Sequence, residues 1–174
     1  YILPRLSERV AQNERTLFTF LSAEGPATLS SFLSRFDNNF TLVTPDLIFD
    51  YFEPLLKKEI YAGEVHNTFV LTSMILNQIS EESLAKKIIK TISLIYILEE
   101  FERLAPTKDQ IISIYSGSYS ISDIIRAIDD LIEQEHVVYL RRSNNYLRLK
   151  QTSGVDIRQR INNLKESQSR KIVP

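Results

Sequence analysis

The chain is 174 residues long with 43% hydrophobic and 25% charged side chains, an ordinary globular composition with room for one domain or two small ones. A formal charge of -1 and an isoelectric point near 6.2 exclude a global electrostatic pull toward nucleic acid or anionic lipid, so any such binding has to come from a local patch. The absence of cysteine excludes disulfides and thiolate metal sites and fits a cytoplasmic protein.

Residues 5–21 place Leu6, Val10, Leu17 and Leu21 near helical spacing, which predicts one helix ending before Gly25-Pro26. A short helix is expected over 31–36, with Phe32, Leu33 and Phe36 on its buried side. Thr44-Pro45-Asp46 reads as a helix start: Thr44 to cap, Pro45 at the first helical position, and Asp46 at the positive end of the dipole. Leu47, Ile48, Tyr51 and Phe52 follow, and Pro54 is expected to end or kink that helix near Glu53. Phe18, Phe20, Phe32, Phe36, Phe40, Phe49, Tyr51 and Phe52 are frequent enough here to suggest a ligand box. At helical spacing they read as core.

Two further helices are expected over 65–79 and 82–103, split around Ser80, which caps the second with Glu81 and Glu82 in its first turn. In the second, Leu84, Ile88, Ile89, Ile92, Leu94, Ile95, Ile97 and Leu98 are apolar on nearly every side. A helix like that is buried all round. It should lie between the amino-terminal helices and whatever follows it. The apolar run from Ile88 to Leu98 carries Lys90, Thr91 and Ser93 and falls short of the roughly 20 residues that span a bilayer, so no membrane partner is expected.

Thr107 to Gln110 has the form of a capping box, with Gly117 expected as a left-handed stop. Ser120 and Asp123 repeat the cap, and Ile121, Ile124, Ile125, Ile128, Leu131 and Ile132 form one stripe at helical period. Two capped helices joined by a short turn make a helix-turn-helix. Val137 to Leu140 and Tyr146 to Lys150 are β-rich runs joined through Arg142-Ser143-Asn144-Asn145, where Asn tolerates positive φ. The expected fold is mainly α: a helical bundle followed by a winged helix-turn-helix with a small β-hairpin. Its parts are an amino-terminal helical region (1–62), central helices (63–103), the winged unit (104–155) and a basic tail (156–174).

The outward face of the second capped helix carries Ser122, Asp123, Arg126, Asp129, Asp130 and Glu133, so four carboxylates oppose one guanidinium. Such a face repels phosphates and cannot read a major groove. The wing differs. Arg141, Arg142, Arg148 and Lys150 are cationic with no acid between Val137 and Lys150, and Asn144 and Asn145 add hydrogen-bonding groups. These six residues are the nucleic-acid-binding candidates, and four phosphate contacts would lower log K by about 3.6 per decade of salt. The competing explanation is that the arginines solvate an edge hairpin or pair with the acidic helix beside them. In the tail, Ile157, Ile161 and Leu164 allow a short amphipathic helix among Arg158, Arg160 and Lys165, and the segment as a whole reads as a weakly basic connector.

No catalytic constellation stands out. His66 and His136, the only histidines, lack neighbours at metal-ligand spacing and read as surface or interface residues. The glycines are isolated, which leaves neither a phosphate-cradling loop nor a nucleophile elbow. Adjacent acids such as Glu99-Glu100 and Asp129-Asp130 diverge along helices and read as solvated faces. No catalytic or metal residue and no cofactor is therefore assigned to this chain, which is read as a non-enzymatic part of a longer polypeptide because it opens at Tyr1 without Met.

Leu3-Pro4-Arg5-Leu6-Ser7, Gln12-Asn13-Glu14-Arg15-Thr16 and Leu17-Phe18-Thr19-Phe20-Leu21 together resemble the segment after the nucleotide-binding core in large bacterial P-loop ATPases, including phage-defence proteins of the BREX type and AAA+ or STAND-like proteins. The likeness continues in Phe49 to Glu53, Leu84 to Ile92, Asn145 to Leu149 and Gly154 to Ile157. The resemblance implies an upstream core with Walker motifs that holds ATP and Mg, with this chain docked behind it and to other protein modules. It also makes Arg9 and Arg15 nucleotide-sensing candidates, since a planar guanidinium suits phosphate. Against that stands a structural role, in which Asn13, Glu14 and Arg15 form a polar network with the core. The expected function is a relay for nucleotide-driven conformational change, with DNA binding through the wing as the alternative.

Overall fold

The computed structural model describes residues 1–10, 16–34, 42–58, 63–79, 83–140 and 144–150. The chain is mainly helical with one small antiparallel sheet: α1 (Ile2–Val10), α2 (Leu17–Ser22), α3 (Leu29–Ser34), α4 (Pro45–Lys58), α5 (Gly63–Gln78), α6 (Leu84–Leu98), α7 (Lys108–Tyr115), α8 (Ile121–Glu133), β1 (Val137–Tyr139) and β2 (Leu147–Leu149). Among the described residues no helix is long and apolar enough to cross a membrane.

The single helix expected over 5–21 is two. Thr16 sits in extended backbone and accepts from the Thr19 N–H, while the Thr19 hydroxyl accepts from the Thr16 N–H. This reciprocal box starts α2 afresh. Phe20 is buried beneath it, but Phe18 is 76% exposed and is no core residue. Helix α3 begins two residues earlier than expected and leaves Leu33 exposed; Phe36 and Phe40 lie outside the described residues.

Helix α4 starts at Pro45 as its sequence predicts, then runs through Pro54 to Lys58. A proline inside a helix costs about 3 kcal/mol through the lost hydrogen bond and the ring clash. Leu55 and Leu56, 6% and 0% exposed, offset that at about 1.5–3 kcal/mol each. The helix therefore continues because its next turn is core.

Helix α6 is the central element. Ile88, Ile89, Thr91, Ile92, Ser93, Leu94, Ile95, Ile97 and Leu98 are all buried, and α1, α4, α5, α8 and β2 pack around it. Its cap is Ser83, not Ser80, which lies outside the described residues, and Ser83 makes no side-chain cap bond. Its end comes five residues earlier than expected. Glu99 adopts left-handed backbone (φ 57°) and its N–H bonds the Ile95 carbonyl, closing the helix at Leu98.

Thr107 and Ser120 cap α7 and α8, accepting from the N–H groups of Gln110 and Asp123, but the box expected at α7 is one-sided, because the Thr107 N–H bonds the Ala105 carbonyl and not Gln110. Gly117 is not a left-handed stop, because α7 ends on right-handed Ser116 and Gly117 does not have the positive φ that such a stop needs. A Cβ there would meet only the tip of half-exposed Leu42, Cδ1 at 2.7 Å. On α8, Ile124, Ile128 and Leu131 are buried, whereas Ile121 at the first position is 56% exposed. The helix ends in a Schellman motif: His136 N–H bonds Leu131 O, Glu135 N–H bonds Ile132 O, and Glu135 is left-handed (φ 61°).

Strands β1 and β2 pair antiparallel, Val137 opposite Leu149 and Tyr139 opposite Leu147. Asn145 takes the positive φ (53°) expected of the turn. The other edge of β2 is met by the residues before α7: Leu147 N–H bonds Pro106 O, and Thr107 bridges Tyr146 in antiparallel sense. Tyr96 of α6 donates to the Leu147 carbonyl at 3.0 Å. The hairpin is thus tied to both α6 and the start of α7.

Candidate functional site

Four of the six wing candidates are described; Arg141 and Arg142 lie outside the described residues. Alternation along β2 buries Leu147 and Leu149 and turns Arg148 outward. Asn144 and Asn145 are exposed at the turn. Lys150 is already engaged, with its Nζ 2.7 Å from Glu135 Oε2. The structure therefore brings Arg148, Asn144 and Asn145 to one exposed hairpin and neutralises the fourth cation locally.

The outward face of α8 is as acidic as its sequence implies. Asp129 and Asp130 and Glu133 are exposed, with Asp129 paired to Lys108 of α7 at 2.7 Å and Asp123 paired to Arg126. Pairs this exposed contribute about 0–1 kcal/mol. The helix is held instead by its buried isoleucines and Leu131. Beside this face lies a cleft of about 420 Å³, whose apolar wall includes Ile79, Leu84, Ala127 and Leu131 and whose rim includes Asp123 and Asp130. No pattern in the sequence marks it, because its wall comes from three separated segments.

At the other end of the molecule Arg9 donates to Glu99 Oε2 at 2.8 Å and to the Leu98 carbonyl at 3.4 Å. It caps the negative end of the α6 dipole. Arg5 reaches Glu100 at 3.4 Å, so the Glu99-Glu100 pair is an attachment point for α1 and not simply a solvated face. Glu64 adds a second carboxyl there. Its hydrogen bond to Glu99 raises its pKa, while that bond and Arg9 hold Glu99 below the usual range. Arg9 thus faces two acids in this conformation. Arg15, the other nucleotide-sensing candidate, lies outside the described residues together with Asn13 and Glu14.

A buried polar node went unread in the sequence. The Tyr115 hydroxyl lies 2.7 Å from Thr91 Oγ1, 2.9 Å from the Lys87 carbonyl and 3.2 Å from Asp46 Oδ1. Lys87 Nζ is 3.4 Å from Asp46 Oδ2 and stands over the Tyr119 ring. Burial first, and the Asp46 carboxylate second, push the Tyr115 phenol far up, so it stays a donor. The node fastens α4, α6 and α7 at one point. Four side chains from three distant segments carry it, and none stands in a recognisable motif.

His136 is 7% exposed, so the surface reading of it is wrong. Its Nδ1 has no hydrogen-bond partner, and burial lowers its pKa. Among the described residues no three His, Asp or Glu side chains gather as a metal site. No protein-family model, curated protein or solved structure matches this chain.

Proposed function

We propose that this chain is a non-catalytic helical and winged-helix part of a larger P-loop NTPase, acting as a relay and protein-interaction module. The observation that carries the reading is α6: with nine of its fifteen residues buried, it receives Arg9 of α1, Asp46 and Tyr115 through Lys87 and Thr91, and β2 through Tyr96. A displacement imposed at α1 or α4 is passed to the carboxyl-terminal unit through packed core, because close-packed interiors shift as units. The winged-helix part of the reading is supported by the order α6, α7, α8, β1, β2 and by the 106–107 segment on the free edge of β2, the position of a rudimentary third strand.

Exposed apolar side chains support docking at the amino-terminal end. Phe18, Leu21 and Leu33 are 76%, 47% and 57% exposed, an arrangement suited to another protein surface. The resemblance to the region behind ATPase cores supplies a candidate for that surface, with ATP and Mg held there and not on this chain. The Arg15→Ala substitution in the full protein tests the sensing role: lost ATP turnover with normal folding supports it, and unchanged turnover removes it.

The second reading, a DNA-binding winged helix, is favoured by one observation, the exposed Arg148 beside Asn144 and Asn145 on the hairpin. With Lys150 engaged by Glu135, the wing offers three cations, and a backbone contact through them predicts a salt slope of about -2.7. Titration of the chain with duplex DNA at several salt concentrations separates the readings. The relay reading expects no binding at micromolar DNA in physiological salt; micromolar affinity that disappears in Arg141→Glu with Arg142→Glu would establish the wing mechanism, and affinity that survives the pair refutes it.

A further inference from the structure

The cleft beside α8, of about 420 Å³, has both an apolar wall and a charged rim. Ile79 and Leu84 flank it from the α5–α6 side, Ala127 and Leu131 from α8, and Asp123 and Asp130 stand at its edge, with Gln134 at the carboxyl end of α8. Such a site accepts an apolar stripe flanked by cations.

The chain itself supplies that chemistry nearby. Lys150 N–H bonds the His136 carbonyl and Lys150 Nζ bonds Glu135, so residue 151 follows a point two residues past Gln134, at one end of the cleft. The six residues from 151 to 156, at about 3.3–3.6 Å each when extended, span about 20 Å, the length of the 13-residue α8 beside the cleft. The 24 residues from 151 to 174 contain Ile157, Ile161 and Leu164 at helical spacing and five cations, Arg158, Arg160, Lys165, Arg170 and Lys171, against Asp156 and Glu166. Their net charge of +3 meets an acidic face of α8, where Asp123 is paired with Arg126 and Asp129 with Lys108, and Asp130, at the rim of the cleft, and Glu133 add two further carboxylates.

We propose that the segment 151–174 docks on its own chain in this cleft, with Ile157, Ile161 and Leu164 against Ala127, Leu84 and Ile79 and its cations along the acidic rim. The contact covers the α8 face in cis. It goes beyond the relay function and stands or falls independently of it.

The chain has no cysteine, so engineered pairs report without background. Disulfides form only where Cα atoms come within about 7 Å. In the full chain, Ala127→Cys is combined in turn with Ile157→Cys, Ile161→Cys and Leu164→Cys under mild oxidation; Ala85→Cys replaces Ala127→Cys if that variant does not fold. At least one pair is expected to yield cross-linked monomer at tenfold or more over the same tail position paired with Ser22→Cys on α2. Adding Ile157→Asp to a pair formed at Leu164 should return the yield to the control level, with circular dichroism unchanged. Cross-links that appear only as dimers place the segment on a second copy and overturn the proposal, as do yields equal to the control at all three positions, or a yield indifferent to Ile157→Asp.

Discussion

Replacing Tyr115 with Phe removes one buried hydroxyl while keeping the ring that packs on Tyr119, with centroids 6.1 Å apart. Three groups lose a neighbour, yet their losses are unequal. Thr91 lies one helical turn after Lys87, so its hydroxyl can turn back onto the Lys87 carbonyl and satisfy both. Asp46 has no such substitute. Its Oδ1 loses the phenol at 3.2 Å, while Oδ2 keeps Lys87 Nζ at 3.4 Å. Asp46 is only 7% exposed, so the cost is that of one charge-assisted bond inside a low-dielectric node, about 2 kcal/mol. In a chain of this size that lowers Tm by about 4–8 °C. Urea unfolding at pH 7 measures it, with the midpoint falling and the slope unchanged. Combining the change with Asp46→Asn in a double-mutant cycle should recover most of the penalty as coupling. A loss below about 0.5 kcal/mol, or strict additivity with Asp46→Asn, would refute the claim that this node fastens α4 to α7, since exposed substitutions cost no more than that.

Pro54→Ala should stabilise the protein by about 1–3 kcal/mol, because Ala restores the helical hydrogen bond that α4 lacks there; a neutral result in urea unfolding means that α4 stops at Glu53. Gly117→Ala should change stability by less than about 1 kcal/mol, since its backbone is not left-handed and the tip of half-exposed Leu42 is free to move aside. A loss above about 2 kcal/mol in the same assay restores the left-handed reading. His136 has a folded pKa lowered by burial, so its contribution to stability is present above its unfolded pKa of about 6.5 and is lost as pH falls through the lower folded pKa. The urea midpoint of the wild type should therefore drop between pH 7 and pH 5 more than that of His136→Gln; parallel curves contradict the assignment.

What the sequence made legible was governed by local rules. Caps at Thr107 and Ser120, the start at Pro45, the burial of α6 and the positive φ at Asn145 each depend on a few adjacent residues whose chemistry admits one solution. The misreadings share a different cause. Pro54 stays helical because Leu55 and Leu56 are buried against distant elements, and α6 ends at Leu98 because Glu99, a residue with no intrinsic liking for left-handed backbone, is engaged there by Arg9 of α1. Tertiary packing overrode propensity in both. The polar node and the α8 cleft were unreadable for the same reason, since Asp46, Lys87 and Tyr115 meet only after three helices have docked.

That distribution bears on how the molecule works. Helix α8 takes its caps from nearby sequence, so its outward face can diverge without disturbing the fold. Helix α6 and the node cannot, because each of their contacts joins segments far apart in the chain. Of these bonds only those of Tyr115 to Thr91 and Asp46 are fully buried, and there a partly satisfied polar group costs more than it returns. Arg9 and Glu99 pair with side chains 37% and 40% exposed, so this contact orients α1 on the end of α6 at about 0–1 kcal/mol. Tyr96, three residues before Glu99, holds the Leu147 carbonyl of β2. The Arg9 and Tyr96 contacts join the amino-terminal helices and the hairpin to one turn of α6, which is where the proposed relay would act.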